Sequence, residues 1–162
     1  MSDVLQGIVA QRRIDVGREA FEAAQFAQLE PSQRSLRTTL RQSGARMIME
    51  IKRASPSQGA IAQSLDAKSA AQSYAGLADA LSVLTEPHHF HGSLDDLRAA
   101  RTVFNGPILM KDFIVHERQI YEGRAAGADA ILLMLSVLSD AEADRFRRVA
   151  QVLGMECLVD TH

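Results

Sequence analysis

Five short apolar runs alternate with four polar segments of helical period between Met47 and Asp160. No other feature narrows the possible folds as much. The runs are "MIMEIK" (47–52), "ALSVLT" (80–85), "PILMKDF" (107–113), "AILLMLSVL" (130–138) and "ECLVD" (156–160), each read as a strand. The spacing predicts helices over about Asp66–Tyr74, Ser93–Val103, Glu117–Ala126 and Asp140–Leu153. Strands alternating with helices of about ten residues indicate right-handed βαβ units on a parallel sheet. "AAGADA" and "VLGMEC" share the small-residue turn that leads out of a helix into the next strand. Ahead of this unit, Val4, Ile8 and Val9, continued by Val16, Ala20 and Phe21, predict a helical segment from Val4 to about Gln28. "EPSQRS", with Pro31, stops it. The chain therefore divides into a helical extension, 1–45, and an α/β unit, 46–162.

Two architectures satisfy that alternation: an open doubly wound sheet and a (β/α)8 barrel. The loop after the first strand, "SPSQGA", has one glycine and no G-x-G-x-x-G, so a dinucleotide fold loses support. Polar residues closing the first, third and fifth strands suit a barrel, whose chemistry gathers at the C-terminal ends of its strands. Five strands cannot close an eight-stranded barrel, which takes about 250 residues. The expectation for these 162 residues is an incomplete barrel of about five βα units. With 18 Lys+Arg against 20 Asp+Glu and no block of like charge, composition points to neither nucleic acid nor membrane as a partner. "RQSGAR" reads as a solvated connection. The single cysteine, Cys157, cannot form an internal disulfide, and no apolar run reaches membrane-span length, so a cytoplasmic protein is the default expectation.

Side chains two apart in a strand share a face, so Ile48, Glu50 and Lys52 point one way and Met49 and Ile51 the other, towards the helices. Lys111 and Asp160 end their own strands in the equivalent place. Three strands thus send Glu50, Lys52, Lys111 and Asp160 towards one mouth. Buried charges cost several kcal/mol each unless paired, which leaves two readings: an acid–base site or a structural ion-pair network. Crowding and desolvation bring a lysine's proton affinity towards neutrality, where it donates efficiently. The "SPS" turn suits an anion such as phosphate. "EPHHFHGS" clusters His88, His89 and His91, but adjacent histidines rarely point at one ion and no further His or Cys lies at helical spacing, so no metal is expected. Phe90 reads as an apolar wall, and Cys157 and Met134 as packing residues.

Taken together, "EIKRASPSQG", "YAGLADALSVLTEPHHFHGSLDDLRAAR", "PILMKDFIVHERQIYEGRAAGADAILLMLSVL" and "LGMECLVDTH" resemble indole-3-glycerol-phosphate synthase, in that family's order and spacing, and the helical extension also matches. The series "KxSPS", "SVLTE…FxGS" and "KDF" is far more specific than any one of its parts. The resemblance implies a (β/α)8 barrel lyase of tryptophan biosynthesis. That enzyme closes the ring of 1-(2-carboxyphenylamino)-1-deoxyribulose 5-phosphate with loss of CO2 and water, without metal or organic cofactor. It also implies roles. Lys111 is the general acid, Lys52 meets the substrate carboxylate, Glu50 holds and polarises them, Ser55 helps bind phosphate, and Phe90, Phe113 and Leu132 line the pocket for the anthranilate ring. Two departures stand out. The family's glutamate closing strand five is Asp160 here, one methylene shorter. The sequence also stops at His162, before the strands that carry the family's remaining substrate contacts and most of its phosphate loops. These departures leave open a catalytically silent half-barrel that binds or assembles, with self-association or a complementary C-terminal fragment as its partner. A phosphoribosylanthranilate isomerase relative is disfavoured because it lacks the "KDF" and "FxGS" match.

Overall fold

Helix α1 (Asp3–Gly17) is followed by a 3₁₀ turn (Ala23–Phe26) and a short helix, α2 (Leu36–Leu40), in a computed structural model that describes residues 3–18 and 20–161. Strand β1 (Ile48–Ile51) then leads into a small hairpin, β2 (Ala54–Ser55) and β3 (Gly59–Ala60). The remainder alternates: α3 (Ala67–Tyr74), β4 (Ala80–Leu84), α4 (Leu94–Arg101), β5 (Ile108–Lys111) and α5 (Glu117–Ala125). It continues with β6 (Ala130–Met134), α6 (Asp140–Val152) and β7 (Glu156–Asp160). The main sheet has the order β1-β4-β5-β6-β7, every pair parallel. The strands follow chain order without reversal, which is barrel winding. A doubly wound sheet would reverse its order at a switch point.

The five expected strands and four helices of the α/β unit are all present. Side chains cap the helices: Asp66 accepts from Ser69 N–H, Ser93 from Asp96 N–H, and Ser139 from Glu142 N–H. Both expected small-residue turns place a glycine in the left-handed region, Gly127 at φ +104° and Gly154 at φ +64°. A Cβ there would also meet Arg101 Cγ at 2.7 Å or Ser32 O at 2.7 Å. The core forms between sheet and outer helices, from Ile51, Leu81, Val83, Ile108, Met110, Ile131 and Leu133 against Leu97, Ile120 and Phe146. On the concave face, Leu36 of α2 packs on Ala80, Leu109 and Ala130 and plugs the bottom of the sheet. Glu156 fixes that plug by accepting Ser35 Oγ–H at 2.7 Å and Arg37 N–H at 2.8 Å.

The N-terminal helix is shorter than its apolar pattern predicts. It ends at Gly17, where the propensity to continue is low. Phe21 and Phe26 instead turn onto Tyr121 of α5, with ring centroids 5.5 and 5.4 Å away. Half-burying two aromatic rings there outweighs extending the helix into solvent. (The expected helix spans residue 19 and the resembling segment ends at residue 162; both lie outside the described residues.) The α2 turn and the β2–β3 hairpin lie where only loops were expected; both are too short to leave a periodic signal. Fourth of the parallel strands, β6 stops at Met134, and Met134 is half-buried on the concave face and not in the core. At edge strand β1 the exposed apolar residues are Ile48 and, just before the strand, Met47, while Ile51 is buried under α3. At the other edge, β7 exposes Leu158 and Val159 beside a cavity of about 1030 Å3, also lined by Leu36, Leu40 and Leu135.

Two buried acids tie distant segments together. Asp129, with no exposed surface, precedes β6. It accepts from Ser32 Oγ and Arg101 Nη2 at 2.6 Å each and from Ile108 N–H at 3.0 Å, with Arg124 at 3.3 Å. Asp112, just after β5, accepts two hydrogen bonds from Arg12 of α1, at 3.0 and 2.7 Å, and one from Thr85 Oγ1 at 2.9 Å. This second tie lays α1 across the C-terminal ends of β4 and β5. Val9 and Val16 of the same helix pack on Val115 and Phe113.

Candidate active site

Glu50 is the centre of the mouth. Its Oε2 accepts from Lys111 Nζ at 2.6 Å and its Oε1 from Lys52 Nζ at 3.0 Å. Two ammonium groups from different strands therefore share one carboxylate. Parallel registry sets Glu50 beside Ser82, whose hydroxyl lies 3.5 Å from Oε2. Partial burial opposes ionisation of Glu50, but the hydrogen bonds and charges of Lys111 and Lys52 outweigh it, and the carboxyl lies below the ordinary glutamate range. All three side chains remain partly open to solvent, with 28–41% of their surface exposed, so an anionic ligand can reach the ammonium groups.

The aromatic wall is assembled beside it. Phe90, in the loop after β4, and Phe113, after β5, stand with ring centroids 6.2 Å apart at 47°. Leu132 lies on β6 with little exposed surface. Ser55 is buried in the hairpin, where its Oγ accepts Gln58 N–H at 3.2 Å and lies 3.5 Å from Ser57 Oγ. Asp160 closes β7 in register with Met134. It stands two strands from Lys111, roughly 10 Å across the sheet. The mouth thus brings Glu50, Lys52 and Lys111 into direct contact and Phe90 against Phe113, while Asp160 occupies a separate edge of the same face.

The histidines diverge. His88 Nε2 meets Asp15 Oδ2 of α1 at 2.8 Å, His89 lies beside Glu86, and His91 takes a left-handed backbone at φ +52°. Among the described residues no three His, Cys, Asp or Glu side chains converge. Cys157 is half-buried against the core, and burial pushes its thiol up to about 11.

Four supporting residues escaped the sequence reading. Asp112 lies between Lys111 and Phe113 and accepts the Phe113 N–H at 2.8 Å. Burial raises its carboxyl, opposed by the Arg12 charge and hydrogen bonds. Arg12 had a visible signal: it sits four residues from both Ile8 and Val16, inside the apolar stripe of α1. An arginine there requires a buried acceptor. Glu86 is 1% exposed and accepts three backbone N–H groups, from His88, His89 and Phe90. In addition, Arg53 links the hairpin loop to Asp96 and to the carbonyl of His91.

Curated relatives carry the name indole-3-glycerol phosphate synthase. One from Nocardioides sp. is 44% identical over 98% of this chain, one from Micrococcus luteus 49% over 74%, and one from Bacteroides thetaiotaomicron 38% over the whole chain. The chain spans 64%, 45% and 65% of those relatives' own lengths. The family model for indole-3-glycerol phosphate synthase matches residues 5–162. With a parallel sheet wound in barrel order and its lysines and aromatic pair gathered at one end, the chain belongs to the indole-3-glycerol phosphate synthase family.

Proposed function

We propose that this chain supplies the Lys–Glu–Lys half of an indole-3-glycerol-phosphate synthase site, a carbon–carbon lyase acting on 1-(2-carboxyphenylamino)-1-deoxyribulose 5-phosphate in the cytoplasm. The observation that carries the reading is the Glu50 carboxylate bridging Lys52 and Lys111 at the mouth. Lys52 pairs with the substrate carboxylate, and Phe90, Phe113 and Leu132 hold the aromatic ring. The ring carbon bearing the carboxylate attacks the ketone carbon, whose oxygen takes a proton from Lys111. The carbon–carboxylate bond then breaks and releases CO2. The new hydroxyl leaves as water with a second proton, and loss of a ring-system proton restores aromaticity. Glu50 orients both lysine side chains, Asp160 serves proton transfer from the β7 edge, and Ser55 contributes to the phosphate end. Positioning and acid catalysis account for the chemistry, with about 10²–10⁴-fold from the proton donor.

Indole-3-glycerol phosphate fluorescence tests this directly. Turnover by the chain that disappears in Lys111→Ala supports the proposal, and a rate that survives the substitution refutes the assigned acid. The open β7 edge favours a second reading, a silent half-barrel that binds without turnover and pairs with itself or with a complementary segment. Saturable product binding without turnover would select it.

A further inference from the structure

Glu86 has no part in the chemistry above, yet its environment is as specific as that of Glu50. Its side chain is 1% exposed. Oε1 accepts His88 N–H at 3.0 Å, and Oε2 accepts His89 N–H at 2.7 Å and Phe90 N–H at 2.9 Å. The Glu86 carbonyl accepts Gly92 N–H at 2.9 Å and closes the loop. Three consecutive amides aimed at one carboxylate form an anion-holding nest, here filled by the protein's own side chain. Pro87 has no N–H to satisfy, and His91 holds a positive φ. A Cβ at Gly92 would stand 2.2 Å from Leu84 O, so the loop returns to β4 along one path. The Phe90 ring is carried on the last of the three amides.

We propose that Glu86 is the positioning residue of the aromatic wall: by gathering the amides of 88–90 it fixes the backbone that sets the Phe90 ring against Phe113. The arrangement parallels Asp112, which holds the Phe113 amide at 2.8 Å, so each ring of the pair is seated by its own buried carboxylate. A neutral side chain of the same shape cannot hold all three amides, because the amide nitrogen of a glutamine meets at least one of the N–H donors with a donor of its own.

Glu86→Gln in the full chain tests the proposal by NMR. Amide exchange at 88–90 is expected to accelerate about 10- to 100-fold, and the Phe90–Phe113 ring contact to disappear, while exchange in β4, β5 and β6 stays unchanged. A retained ring contact, or acceleration spread evenly over the strands, overturns it. Glu86→Asp, which withdraws the charge by one methylene, is expected to show the same selective loss. Failure of both variants to fold overturns the proposal by making Glu86 a stability residue alone. A second arm rests on the proposed function: anthranilate binding, read by its fluorescence, is expected to weaken about tenfold in Glu86→Gln. In a Phe90→Ala background the same substitution is expected to add nothing, the non-additivity of residues acting as one unit. Independent, additive effects overturn the role. Absence of anthranilate binding by the unmodified chain counts against the proposed function, and the ring contact still decides Glu86.

Discussion

Replacing Asp129 with alanine removes the acceptor on which four segments converge, and the cost follows from what each donor loses. Arg101 gives up a 2.6 Å ion pair but keeps the carbonyls of Phe104, Gly106 and Gly127. Arg124 keeps the carbonyls of Ala128 and Glu30. Ile108 N–H, buried at the start of β5, loses the Asp129 carboxylate, as does the Ser32 hydroxyl. Breaking one side of a buried ion pair costs about 3–5 kcal/mol. The retained carbonyls favour the lower end, and the orphaned amide adds about 1–3 kcal/mol, for a loss of about 4 kcal/mol. The electrostatics agree in sign. Burial already holds the Arg101 guanidinium down to about 10, with Asp129 as the opposing charge and Arg34 and Arg124 as further repulsion. Without Asp129, three arginines crowd one site. Urea unfolding monitored by far-ultraviolet circular dichroism is the assay. With a slope of about 2 kcal/mol per molar, the midpoint falls by about 2 M. A fall of less than about 0.5 M would refute the account of Asp129 as the hub.

Two further outcomes are expected. The Glu50 carboxyl is depressed in the folded chain, so its contribution to stability is fully present above the ordinary value of 4.5 and is lost as pH falls through the lower folded value. Glu50→Gln should flatten the acid limb of a melting-temperature profile below that pH and leave the shape at neutral pH unchanged; an unaltered acid limb contradicts the bridging role. At the β7 edge, Leu158→Lys together with Val159→Lys should shift sedimentation towards a single monomeric species if the chain self-associates there. Concentration-dependent sedimentation identical to the unmodified chain would place any association elsewhere.

How much of this was legible beforehand depended on periodicity. Strands of nearly continuous apolar character on both faces, such as "ALSVL", declared a parallel sheet, and the two-residue period placed Glu50 and Lys52 together. Convergence of Lys111 on Glu50 followed from both closing strands of one sheet. The contacts that shape the site were not readable in the same way, because they join residues with no common period. Arg12 and Asp112 are 100 positions apart, and Glu86 acts on the backbone, which every sequence shares. The failure of the N-terminal helix to extend past Gly17 has a similar origin: Phe21 looked like the next member of a stripe until tertiary packing on Tyr121 claimed it. Asp160 was legible as a strand-ending acid on the concave face, but its separation from Lys111 depends on strand count and stagger across β6.

The Arg12–Asp112 tie also sets a clock. A ribosome adding about 5–20 residues per second needs about 5–20 s to travel from one partner to the other, given their separation of 100 residues. Throughout that interval α1 exists without Asp112, Val115 and Phe113, the groups that cover its arginine and its valines. Helix α1 therefore docks only about 100 residues after it is made, and Val9 and Val16 are exposed to chaperones for the whole passage.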